Sequence, residues 1–328
     1  MRGNGRDKAY KKCIRGKLTK HIYRKHGKYI MADLFDLHCD TLGIMYRMKS
    51  FDHPISYQLD IESCSKVYSN YSQVFAVYSP NSYTEDEAWD NFLHTCIKIH
   101  SHVFPKNVTP YLAVEGGKLL NGKSERLKDL KKENVSVLTL VWGGLCCIGG
   151  ASNTDEGLTD FGRYVLDFCL DNGIVPDVSH ASDKMFWEVA NVCSKKSLPF
   201  IASHSCSRAI RHHHRNLTDE MFTVIAECGG VVGVSLAPPH ISGKRPVTID
   251  DVADHILHYL SLGHPNAVAL GCDYDGIDNA PIGLEAPEKL LSLYPKLESR
   301  GVDRRIIDKV TYKNAYDFFK NNKLRSIR

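Results

Sequence analysis

No apolar run in the 328-residue chain reaches the roughly 18 residues that a membrane span requires. The first residues lack the apolar core of a secretory signal, and the closing stretch, KNAYDFFKNNKLRSIR, is too polar for a lipid-anchor signal. No membrane association is expected. Eleven cysteines are scattered along the chain without a single C-x-x-C pair. Cys146 and Cys147 are adjacent, while Cys39, Cys206 and Cys272 lie in or beside apolar runs. That usage argues against a disulfide framework or a thiolate zinc site, and for buried, reduced thiols in a cytoplasmic enzyme. Internal repeats and low-complexity linkers are missing as well, so one large domain is expected.

What is present is an ordinary globular composition, 43% hydrophobic and 24% charged, which rules out disordered and collagen-like chains. The formal charge of +4 conceals an asymmetry. Residues 1–30 hold eleven Lys or Arg against one acid, a net +10, so the rest of the chain carries −6. The body gives no electrostatic reason to bind nucleic acid. Residues 1–30 read as a basic extension, disordered or lying upstream of the true start, since Met31 directly precedes the first strand-like run. The working division is therefore 1–30 as extension and 31–328 as the folded domain.

Eight short apolar runs rich in β-branched or aromatic residues follow, at 32–37, 73–78, 109–114, 135–141, 174–179, 200–203, 231–236 and 267–272. Runs such as VSVLTLV and GVVGVSL are apolar nearly throughout, the habit of strands buried on both faces in a parallel sheet. Helical patterns fill the spacers. Thr84 with Glu87 forms a capping-box signature, and the pattern over 157–172 stops at Gly173. Ser182 and Thr218 are cap candidates, Asp250 or Asp251 opens another helix, and a last helix covers 303–320. Alternation repeated eight times predicts an α/β fold, a single-domain (β/α)8 TIM barrel, with an open doubly wound sheet as the alternative.

In such a barrel the chemistry sits at the C-terminal ends of the strands. The first run ends in His38-Cys39-Asp40, the third in Glu115-Gly116-Gly117, the fifth in His180, the sixth in His204 and the eighth in Asp273. Three carboxylates and three histidines on one rim are the donor types that suit zinc and related divalent ions. His38 and Asp40, two apart on an extended strand, point to the same side and can share one ion. His180 and His204, from neighbouring strands, can clasp a second, and Glu115 has two oxygens with which to bridge. A two-metal centre is expected, with ions about 3.5–4 Å apart and a hydroxide between them. Asp273 opens Asp-Tyr-Asp-Gly, where a carboxylate could shuttle a proton. Arg215, in a basic loop after the sixth run, could grip a substrate carboxylate. The preceding His212, His213 and His214 read as an exposed polar loop.

These segments together resemble the membrane dipeptidase (renal dipeptidase) family, binuclear zinc peptidases on the amidohydrolase-type barrel. The carriers are FDLHCDT, YLAVEGG, GLTDFGRYVLDFCLDNGIVPDVSHASDKMFWEV, PFIASHSCSRAI, RNLTDE and GCDYDGID, in family order from about residue 33 to 280. The resemblance implies His38 and Asp40 on one zinc, His180 and His204 on the other, Glu115 bridging, Asp273 as catalytic acid/base and Arg215 as the substrate-binding arginine. It implies hydrolysis of dipeptides, with D-residues at the C-terminal side and β-lactams both open, and it allows a homodimer. One position departs. Where the renal enzymes carry a substrate-holding histidine after the fourth strand, this chain has Trp142, whose indole cannot ionise. Substrate preference is the property that this change puts in question. The competing expectations are another amidohydrolase reaction on the same metal pair, such as N-acyl amino acid deacylation, and a catalytically weak binding protein.

Overall fold

The computed structural model describes residues 23–25, 28–30, 32–43 and 58–327. The expectation for residues 1–30 falls outside these, apart from two short strands, Tyr23–Lys25 and Lys28–Ile30, which pair antiparallel. No described helix is long and apolar enough to cross a membrane.

Seven parallel strands form one sheet: β1 (Leu34–Cys39), β2 (Tyr71–Tyr78), β3 (Val108–Glu115), β4 (Val135–Thr139), β5 (Val175–Asp177), β6 (Val232–Val234) and β7 (Val268–Leu270). Their order is β5-β4-β3-β2-β1-β7-β6. The expected sixth run does not extend into a ladder, yet it closes the ring. Asp177 of β5 bridges to Ile201, and Ala202 bridges to Val232 of β6, both parallel. All eight runs therefore find their places, in the barrel rather than the open sheet. The ring is tight at this closure. A Cβ on Gly271 would collide with the Ser203 carbonyl, so only glycine permits the approach there.

The helices start where side chains can satisfy free backbone N–H groups. Thr84 and Glu87 complete a reciprocal capping box at α1 (Glu85–Ser101). The helix expected from 157 begins later, at α2 (Asp160–Asn172), because the Thr159 hydroxyl accepts from the Gly162 N–H. Ser182 caps α3 (Asp183–Lys196) and Thr218 caps α4 (Asp219–Glu227), as expected. The opening of α5 (Ile249–Ser261) is corrected: Thr248 is the cap, and Asp251 returns the bond from the first turn. The final helical stretch is not uniform. Arg304–Asp308 and α6 (Asn314–Asn321) are joined by a widened π-turn at Lys309–Lys313.

Two apolar layers result. The larger lies between sheet and helices, and the smaller fills the barrel, where Phe35, Val74, Val137 and Ile201 meet Phe318 and Phe319 of α6. The Phe35 and Phe319 rings stand 4.8 Å apart, which plugs the end at which the strands begin. Each fully buried residue of this kind contributes roughly 1.5–3 kcal/mol. The opposite end, where the strands stop, is open.

Candidate metal centre

At that open end the strand-terminal residues converge. Glu115, last in β3, places Oε1 3.0 Å from His180 Nε2, 3.4 Å from His204 Nε2 and 3.6 Å from His38 Nε2. His38 Nε2 also lies 3.5 Å from Asp40 Oδ2 and 3.9 Å from Asp273 Oδ1. His180 and His204 face each other Nε2 to Nε2 at 2.9 Å. Three overlapping sets could each hold an ion: His38–Asp40–Glu115, Glu115–His180–His204, and His38–His204–Asp273. Glu115 belongs to the first two. The six residues anticipated at the strand ends are thus brought to one point.

The electrostatics of this point are poor without a cation. Burial pushes Glu115, Asp40 and Asp273 upward; the charge of Glu115 adds to it at Asp40, and those of Asp40 and Glu115 at Asp273. Burial draws His38 down, but Glu115, Asp40 and Asp273 outweigh it and push the imidazole up to about 10. His180 and His204 are driven well below the usual range by burial, then by Arg215 and His38. They would be neutral, which is the ligand form. His38 Nε2 and Asp40 Oδ1 are buried without a hydrogen-bond partner. Unsatisfied buried atoms of this kind are costly, and a divalent ion would satisfy both. The residues present fit a metal.

Several groups around the cluster escaped the sequence reading. Asp177, buried in β5, accepts from Thr139 Oγ1 and Ser203 Oγ, both at 2.6 Å, and from the Ser179 and Ser203 N–H groups. Asp36 accepts from the backbone of Cys272 and His38, and burial pushes its carboxyl up to about 6. The signal for both was a carboxylate inside an otherwise apolar run. Gly276 closes Asp-Tyr-Asp-Gly because a Cβ there would collide with the carboxylates of Asp40 and Asp273. His180 and Asp273 adopt left-handed backbone, φ 71° and 63°, uncommon for non-glycine residues.

The centre lies in a cleft of about 1570 Å3. Arg215 lines it and is only 7% exposed, so a solvated surface role is excluded. Its guanidinium donates to the His204 carbonyl at 3.4 Å, while Nε has no partner. Trp142 forms another wall, packed 4.9 Å from Tyr78 and 5.9 Å from His180 by ring centres. The histidine loop is exposed at His212 and His214, as expected, but His213 is half-buried at the cleft and packs against His240, which sequence reading overlooked.

Fold and site together define a (β/α)8 barrel with a metal-ligand cluster at the C-terminal ends of its strands. Residues 98–326 match the family described as membrane dipeptidase (peptidase family M19), and the chain belongs to that family. An uncharacterized dipeptidase of Schizosaccharomyces pombe is 34% identical over 151 residues, covering 45% of this chain and 36% of that protein. Dipeptidase 3 of Mus musculus is 28% identical over 219 residues, covering 64% and 43%. The matched stretch thus spans well under half of either relative's length. A metallopeptidase from Rhodobacter sphaeroides, liganded with a phosphinate mimic of L-Ala-D-Ala, superposes with a TM-score of 0.80 at 21% identity, covering 89% of this chain and 100% of that one. An M19 dipeptidase structure follows at 0.77 and 22%, covering 89% and 99%. At such identities the superpositions speak for the fold.

Proposed function

We propose that the protein is a metal-dependent dipeptidase that loads two divalent ions, zinc in the first instance, on His38, Asp40, Glu115, His180 and His204. One observation carries the reading: Glu115 Oε1 stands within 3.0–3.6 Å of three imidazoles that come from three separate barrel segments. When bound, such ions supply Lewis acidity and lower the pKa of coordinated water.

The chain's own residues account for the rest. Asp273, beside His38 and half-turned to the cleft, is placed to hold the proton released during attack and to pass it to the leaving amine. Arg215 would anchor the free C-terminal carboxylate through its unpartnered face. Charged groups of both signs line the cleft: Arg215 and Arg245, and Asp273, Asp275 and Asp278 from the segment after β7. A zwitterionic dipeptide would be oriented by these charges, its carboxylate toward Arg215 and its ammonium toward an aspartate. Trp142, unable to titrate, would supply an apolar wall and an indole N–H for the substrate.

The test is a panel of free dipeptides, including L,D pairs, offered to zinc-loaded protein beside their N-acetylated counterparts, with amine release measured. Hydrolysis of the free dipeptides supports the reading. Exclusive cleavage of N-acyl substrates would move the protein to the deacylase alternative, and no turnover of either set would overturn the proposal.

A further inference from the structure

Among the described residues the thiols are either buried or half-buried, the half-buried ones being Cys146, Cys147 and Cys228. Cys39, Cys64, Cys96, Cys169, Cys193, Cys206 and Cys272 are buried, and burial pushes each thiol upward into an unreactive range. Cys146 and Cys147 are half-buried and lie side by side. They occupy the tip of a hairpin in which Leu145 bridges to Gly150 and the Cys146 N–H donates to the Gly149 carbonyl at 3.0 Å. The tip is held from both sides. Ile148 is fully buried, the Thr159 hydroxyl donates to the Cys147 carbonyl at 2.6 Å, and the Cys147 sulfur lies 3.5 Å from the Gly117 carbonyl.

The two sulfurs also interact. A hydrogen bond from Cys147 is the chief reason that the Cys146 thiol falls to about 6, helped by the N–H groups of Ile148 and Gly149 and by Lys118. The same bond, then burial, pushes Cys147 upward. Beside Cys146 opens a side cavity of about 280 Å3 whose walls include Glu115, Gly116, Lys118 and Trp142. Cys146 thus lines a cavity that reaches Glu115, and the Cys147 sulfur is its hydrogen-bonded neighbour.

Geometry decides what such a pair can take. Adjacent Cα atoms are about 3.8 Å apart across a trans peptide, short of the roughly 4.4–6.8 Å that disulfides span. Direct oxidation to a disulfide is therefore strained, and the thiols stay available. An acceptor that inserts one large atom between the sulfurs removes that mismatch.

We propose that Cys146 and Cys147 form a dithiol site for a thiophilic trivalent metalloid of the arsenic(III) class, and that its occupation obstructs the neighbouring cleft. With an organoarsenic oxide the step is a condensation. Two As–S bonds form, the As=O bond is lost, both thiol protons leave with that oxygen as water, and arsenic stays trivalent. The adduct would lie at the cavity wall shared with Trp142 and Glu115.

The experiment treats the full-length protein with phenylarsine oxide and reads intact mass, with circular dichroism as the check on folding. One adduct per chain is expected, released by a dithiol and not by an equal concentration of monothiol. Cys146→Ser and Cys147→Ser should each weaken capture about tenfold or more, since one thiolate cannot close the ring. Cys228→Ser, a half-buried control whose thiol lies 3.2 Å from Ser194 Oγ, should keep it. No adduct on the wild-type chain would overturn the proposal, as would full retention in a folded variant lacking both thiols. The assay needs no metal and no substrate, so its result stands apart from the peptidase reading.

Discussion

Ser203 Oγ lies 2.8 Å from His204 Nδ1 and gives its single proton to Asp177 Oδ2 at 2.6 Å. Having donated to Asp177, the hydroxyl can only accept from the imidazole. The ring proton is therefore on Nδ1, and the Nε2 lone pair is turned toward Glu115 and His180. A buried relay thus sets the tautomer of a candidate ligand without touching the cleft.

That relay yields the first prediction. Ser203→Ala should lower zinc affinity about tenfold to a hundredfold, the usual cost of losing such an outer partner. Competition titration against a zinc-binding dye measures it. Unchanged affinity in a folded variant would show that Ser203 is only barrel packing.

Glu115→Gln removes one charge from both ligand sets that share it. Bound zinc should fall below two per chain by elemental analysis, and activity should drop by about a hundredfold or more. Chelation should also lower the melting temperature of the wild type, since free metal at about a hundred times Kd contributes roughly 2.7 kcal/mol. The variant should lose most of that chelator sensitivity. A full metal complement in the variant would refute the shared role.

Arg215 should read the substrate carboxylate. Amidating the C-terminus of a good dipeptide should lower kcat/KM about tenfold to a hundredfold, equivalent to one charge-assisted bond. Arg215→Ala should cost a similar factor and become indifferent to amidation. Four rates, two proteins by two peptides, settle it, and additive losses would point to another anchor.

Gly276→Ala tests the close approach in Asp-Tyr-Asp-Gly. The new methyl would press on the carboxylates of Asp40 and Asp273, so metal content and activity should fall together. Far-ultraviolet circular dichroism should stay native, because the clash lies at the rim and not in the apolar layers. A fully loaded, active alanine variant would mean that the loop relaxes freely.

The thiol pair makes a pH prediction. With Cys146 at about 6, its alkylation by iodoacetamide should be slow at pH 5, where the thiol is protonated, and near its plateau by pH 7. An ordinary cysteine would still be accelerating at that pH. Cys147→Ala should shift the midpoint upward, because the donor to the Cys146 sulfur is gone. A midpoint near 8.5 in the wild type would exclude the pairing.

Much of this protein can be read along the chain because the period of a buried parallel strand is a local property. Unbroken apolar runs such as VSVLTLV mark where strands stand, and a His, Asp or Glu directly after five of the eight runs marks the rim. Thr84, Ser182 and Thr218 set helix starts by bonds spanning three residues, so they too are legible. The metal-ligand candidates were legible for the same reason: they sit at the ends of four runs, His38 and Asp40 sharing one, and the barrel brings strand ends together.

What only the tertiary structure decided depends on distance in the chain. The Asp177–Ser203–His204 relay joins two segments across the closure of the ring, and no spacing announces it. The burial of Arg215 and the turn of His213 into the cleft are set by loops packing on one another, whereas a run of three histidines looks solvated in sequence. The close approach of Gly271 to the Ser203 carbonyl at the sixth segment arises only when the barrel closes. Local patterns specify elements, but the contacts that tune a buried charge come from residues that folding alone makes neighbours.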